Sequence, residues 1–206
     1  MHSLQLVSNN TNSKINSTSQ RFLDQARLSA MEEILNGGML EQGITKVALC
    51  IEKILECSLC QVVLYSSHQQ SFRPIGSTST QFNGLIQQCV KHYYAQNHIE
   101  EDGETLKKSL LIHGDLTLSE SWVGLLDSAN QYGIQSNWTI PVLNSTGSAI
   151  ALISIFFTKK IVPSNEKLAV LRQGAHTLAA LLSHAKTKAM DLRKHVNLHE
   201  QLEARQ

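Results

Sequence analysis

Residues 114–157 read GDLTLSESWVGLLDSANQYGIQSNWTIPVLNSTGSAIALISIFF. Three changes of pattern in this stretch decide the fold. Leu118 to Tyr132 reads as a helix, stopped by Gly133. From Gln135 to Leu143 the period becomes two, with Trp138, Ile140 and Val142 on one face of a strand. Asn144-Ser145-Thr146-Gly147 then supplies a turn, and Ser148 to Thr158 is a nearly continuous apolar run. Such a run suits a central strand covered on both faces. Strand, tight turn and strand make an antiparallel hairpin.

Reading toward the N-terminus, Ser109 to His113 forms another strand. The charged, glycine-containing segment from His98 to Lys108 reads as a loop, and Phe82 to Gln96 as a helix with Leu85, Ile86, Cys89, Val90 and Tyr93 on one face. Leu59 to Tyr65 is short and β-branched, and Phe72 to Ile75 is its partner at an edge, where Pro74 is tolerated. Two amphipathic helices precede them: Leu40 to Glu56, and Arg21 to Asn36, which Gly37 and Gly38 end. Toward the C-terminus, Ser164 is the N-cap of a helix that runs to the end of the chain. Its apolar residues Leu171, Ala175, Leu178, Leu182, Ala185, Ala189, Leu192 and Val196 step by four and three, as in a heptad seam. The seam loses register near His199.

A chain of 206 residues with 42% hydrophobic residues can fill one full core. Eighteen basic and 17 acidic residues leave a net charge of +1, too little field to draw nucleic acid. No apolar run reaches the roughly 20 residues of a membrane span, and Met1 to Gln20 is polar, without the apolar stretch of a secretion signal. The reading is a cytoplasmic protein with reduced thiols at Cys50, Cys57, Cys60 and Cys89. Residues 1–20 are expected as a disordered tail, 21–183 as the domain and 184–206 as a projecting helix or coiled coil.

The order helix, helix, hairpin, lid helices, hairpin, long helix resembles the GAF family. Closest are the GAF domains found beside GGDEF, EAL, PAS and histidine-kinase modules of bacterial signalling proteins. The likeness rests on Asp115, the Trp122 segment, Ala129 to Gly133, Trp138-Thr139-Ile140-Pro141-Val142, Gly147, and Pro163-Ser164, and covers about residues 30–184. It implies an α+β domain. A central antiparallel sheet of five or six strands would carry the N- and C-terminal helices on one face and lid helices on the other. It also implies a sensory role. A small ligand or partner would bind between sheet and lid, and a homodimeric helix would pass the signal to an output domain outside this chain. A dimerisation module without ligand is the alternative.

Trp138, Trp122, His113, Asp115, Cys89 and Tyr93 are the candidate ligand-binding residues, because pockets combine aromatic side chains with a few polar ones. Leu171, Leu178, Leu182, Ala185, Ala189, Leu192 and Val196 are the candidate dimer interface. Cys57-x-x-Cys60 is half a zinc site with no second pair, so no metal is expected. Cys89 and His92 stand one turn apart, but Val90 and Lys91 intervene where a bilin-binding cysteine is often followed directly by histidine. No nucleophile elbow, P-loop, zinc-protease or dinucleotide motif is present, and the cysteine placement does not suit thiol-based reduction. The chain is therefore read as a non-enzyme that requires no cofactor.

Overall fold

The computed structural model describes residues 15–66, 69, 71–94 and 110–203, except for the side chains of 93, 94 and 189–203. Five strands form one sheet: β1 (Leu59–Ser66), β2 (Ser71–Ser77), β3 (Leu111–His113), β4 (Ser136–Leu143) and β5 (Ala149–Phe157). Their order is β2-β1-β5-β4-β3, and every neighbouring pair is antiparallel. The apolar run is thus the middle strand, buried along its length except at Ile150. Gly147 adopts φ +78 in the turn before it, and Asn144 Oδ1 closes the turn by accepting from the Thr146 and Ser148 N–H groups at 3.0 and 2.9 Å. Pro74 lies on the outer strand β2, where the register with β1 shifts.

Alternation along the strands divides the core into two layers. Trp138, Ile140, Val142, Ala151, Ile153, Ile155, Phe157, Cys60 and Val62 face one way. Over them pack α1 (Ser17–Leu35), α2 (Leu40–Leu55) and the long α5 (Asn165–Glu203). Helix α1 starts at Ser17, ahead of the expected Arg21, because Asn16 Oδ1 caps it by accepting from the Ser19 N–H at 2.7 Å. Asn16 also donates to Glu166 of α5. Helix α5 is capped by Ser164 Oγ, which accepts from the Lys167 N–H at 3.3 Å. Gly174 lets α5 lie against α2, since a Cβ there would come 2.5 Å from Ile51 Cδ1.

Leu59, Val63, Tyr65, Leu152 and Phe156 face the other way, beneath a lid. The lid comprises α3 (Asn83–Gln88), a π-helical turn (Cys89–Tyr94), two 3₁₀ turns (Leu116–Leu118 and Glu120–Leu125) and α4 (Leu126–Gln131). The single helix expected from Leu118 to Tyr132 is therefore three short pieces. Ser119 is extended (φ −106, ψ 115) and ends the first 3₁₀ turn. In the second, side chains three apart eclipse, which puts both Trp122 and Leu125 into the core. The expected helix from Phe82 likewise changes pitch at Cys89. The loop expected at His98–Lys108 and the first residue of the Ser109–His113 strand lie outside the described residues.

The packing reassigns part of the heptad seam. Leu171 and Leu178 are wholly buried and Ala175 nearly so, all in the layer between α5 and this chain's own sheet. They cover the domain and offer nothing to a second copy. Leu182 and Ala185 are half-buried, while the side chains of Ala189, Leu192 and Val196 lie outside the described residues. Truncating Leu178 to Ala should therefore lower stability by about 3 kcal/mol through lost burial and a residual cavity. Urea unfolding measures it, with an unchanged m-value marking a stability effect alone.

Candidate ligand site between sheet and lid

The lid-facing side of the sheet is not uniformly apolar. Gln61 of β1 is paired in register with Ser154 of β5, and Ser154 with Thr139 of β4. Asn137 of β4 stands opposite His113 of β3. Since Leu59, Val63, Leu152 and Phe156 face the lid, the two-residue period of the strands places these five polar residues on the same face. All five are buried, His113 at 7% exposure and the others at 1% or less. Leu152 and Phe156 flank Ser154 along β5.

Hydrogen bonds link the middle three of these side chains and anchor Gln61 and His113 to their surroundings. Thr139 Oγ1 lies 3.0 Å from Ser154 Oγ and donates to Asn137 Oδ1 at 3.1 Å. Asn137 Nδ2 donates to the Ile155 carbonyl at 3.1 Å. Gln61 Nε2 gives its protons to the Val62 and Gly76 carbonyls at 2.7 and 2.8 Å. His113 Nδ1 lies 2.9 Å from Ser119 Oγ, which is the same distance from Ser121 Oγ. Burial pushes the His113 pKa down from 6.5 to about 4, so the ring is neutral at physiological pH.

Trp122 roofs this layer, edge-on to both Phe156 and His113 at 6.3 Å between ring centroids. Cys89 is fully buried among Leu85, Ile86 and Trp122. Burial raises its thiol pKa to about 12, so it packs as a small hydrophobe and is a poor nucleophile. Two lid elements meet over Gly124, where a Cβ would come 2.8 Å from His92 Nε2.

The structure thus brings together Trp122, His113 and Cys89 from the sequence-based set, and it separates Trp138 and Asp115 from them. Trp138 is on the opposite sheet face, its ring 4.3 Å from that of Phe157 and its Nε1–H donating to the Ile161 carbonyl at 3.1 Å. It is core beneath the terminal helices. Asp115 lies at the start of the first 3₁₀ turn, where it accepts from the Thr117 N–H and hydroxyl at 3.0 and 2.7 Å and pairs with Lys160 at 2.6 Å. The Lys160 and Thr117 contacts hold its carboxyl below the usual range. These contacts fix the turn. The Tyr93 side chain lies outside the described residues. Gln61, Asn137, Thr139 and Ser154 are not among the sequence-based candidates, although Ser154 inside the run Ala149–Phe157 is a visible signal. Among the described residues no three His, Cys, Asp or Glu side chains form a metal-binding group, and no helix is long and apolar enough to cross a membrane.

No protein-family model matches the sequence, and no curated protein matches it. Solved structures do match. A GAF domain from Synechocystis sp. in its photoproduct state is 17% identical, with 74% of this chain and 98% of that chain covered and a TM-score of 0.60. The phycoerythrobilin-bound GAF domain of a cyanobacterial phytochrome is 13% identical over 81% of this chain and 97% of that one, at 0.61. The GAF domain of an Acinetobacter phosphoenolpyruvate-protein phosphotransferase is 11% identical over 85% and 99%, at 0.58. The sheet order, the helices on one face and the lid on the other are accordingly those of the GAF fold. The chain is an α+β domain of that fold, with five strands where five or six were expected.

The buried His113 makes stability depend on pH. Its folded pKa of about 4 lies below the ordinary 6.5, so between these values the unfolded chain binds more protons. Stability contributed by the neutral ring is fully present above pH 6.5 and declines as pH falls toward 4, by up to about 3 kcal/mol. Urea midpoints measured from pH 7.5 to 4 should fall, and His113→Gln should remove much of that slope.

Proposed function

We propose that this chain is a sensory domain of a bacterial signalling protein. A small molecule binds between sheet and lid, and α5 carries the resulting bias to an output domain in the same protein. The observation that supports this reading is the row Gln61, Ser154, Thr139, Asn137 and His113, buried on the sheet face that also carries the apolar core around Trp122 and Leu125 of the lid. A layer that served packing alone would be cheaper without polar groups, because each must be hydrogen-bonded to offset its lost hydration. The exit route is α5, a 39-residue helix whose first turns pack on the sheet. Any catalysis belongs to the output domain. The four cysteines are all free, which suits the cytoplasm. Ligand binding changes the output only as far as the ligand prefers one arrangement of lid and helices over another. Native mass spectrometry of the chain purified from its host should show a small molecule that is lost on unfolding. Hydrogen exchange should show it protecting 82–94 and 116–131. A chain that carries no molecule, and whose lid exchange is unchanged by its host's metabolite extract, would defeat the binding reading.

A second observation favours pairing of two copies. Leu28 and Leu35 of α1 are 64% and 60% exposed and stand seven residues apart on one face, away from the buried Leu23, Ala30 and Ile34. Pairing that stripe with a second copy, alongside the projecting end of α5, would remove it from water. Sedimentation should report a dimer at micromolar concentration. Leu28→Asp with Leu35→Asp should give a folded monomer, and a monomeric parent chain would rule the pairing out.

A further inference from the structure

We infer that the ligand taken up between sheet and lid is uncharged and carries both hydrogen-bond donors and acceptors, as an amide or a neutral heterocycle does. This inference rests on the binding reading above and narrows it to a chemical class.

Charge is the first argument. Among the described residues no Asp, Glu, Lys or Arg side chain is buried as a whole, and the buried carboxylate oxygen of Glu52 belongs to α2, over the opposite sheet face. The charged residues of the lid elements, Lys91, Glu120 and Asp127, are exposed. Asp115 is tied to Lys160 at the start of the first 3₁₀ turn. Beneath the lid the polar side chains are two amides, the hydroxyls of Thr139, Ser154 and Tyr65, and an imidazole held neutral by burial. A carboxylate or phosphate placed on that floor would lose its hydration and meet no described cation. Such burial costs several kcal/mol per ion even after relaxation. An uncharged polar molecule pays far less, and unpartnered hydroxyls can repay it with hydrogen bonds.

The second argument is unspent capacity. The Tyr65 hydroxyl, in the lid-facing layer, and the Ser128 hydroxyl, on α4, are buried, and neither has a hydrogen-bond partner among the described residues. Both residues are only 9% exposed. Buried hydroxyls are nearly always partnered, so two orphans on the elements that bound this layer mark places where something else supplies the partner. A hydroxyl both donates and accepts, which matches a ligand with both functions.

The test uses matched pairs that differ only in charge: benzamide and benzoate, nicotinamide and nicotinate, indole-3-acetamide and indole-3-acetate. The chain has two tryptophans, and they lie on opposite sheet faces. With 5-fluorotryptophan incorporated, the Trp122 fluorine signal reads the lid side and the Trp138 signal serves as a control for the fold. At pH 7.5 at least one amide should move the Trp122 signal and leave Trp138 in place, with its carboxylate at least tenfold weaker. Thr139→Val should weaken that amide about tenfold with the Trp138 signal unchanged. A carboxylate that moves Trp122 as readily as its amide overturns the inference and leaves the binding reading standing. If no member of any pair moves Trp122, the inference is likewise overturned, and the native-mass measurement judges the binding reading separately.

Discussion

β5 is hydrogen-bonded on both edges and covered on both faces, and the rest of the fold follows from that constraint. A strand in this position shows almost no side chain to water, so each face needs its own partner layer. Because side chains alternate, neighbouring residues Ile155 and Phe156 belong to different cores. A one-residue slip of register would send every side chain of β5 to the wrong layer. The tight turn at Asn144–Gly147 and the pairing with β1 hold the register in place.

The two layers are built differently. The helical side joins long, regular elements through aliphatic contacts and a glycine between α2 and α5. The lid side is assembled from short turns of three different pitches around Trp122. Short 3₁₀ turns have poorer hydrogen-bond geometry than α-helix does, and π turns are rare. The lid is thus the less regular layer, and it is also the one with polar groups beneath it. Regions that open to admit ligands come from the less stable part of a fold.

Much of this architecture was legible in the residues. Period two around Trp138, the turn at Gly147 and the apolar run of β5 identify the hairpin, and the order of elements around it points to the GAF fold. The lid was less legible. Leu118 to Tyr132 has helical composition, but the need to bury Trp122 and Leu125 together breaks it into turns, a tertiary demand that overrides local preference. The site was less legible still. Asn137 and Thr139 alternate with Trp138 and Ile140, a pattern shared by strands with one wet face, and only a second layer over the sheet reveals them as buried. Trp138 is a pocket candidate because pockets use aromatic side chains, yet cores use them as well. Leu171 and Leu178 fit a heptad, but a helix lying on a sheet uses the same spacing.

Helix α5 is continuous from Asn165 to Glu203, and Lys188 Nζ ties it to the Ile34 carbonyl at the end of α1 at 2.8 Å. Residues 189–203 extend past that tie for roughly 22 Å at 1.5 Å per residue. Mechanically this is a beam clamped at one end. A rigid helix converts rotation at the clamp into displacement at the tip, so a tilt of about 5° moves the far end by roughly 2 Å at that length. A rearrangement too small to notice within the core would be a full change of contact for whatever is fastened to the tip, since packed surfaces lose their attraction over less than an ångström.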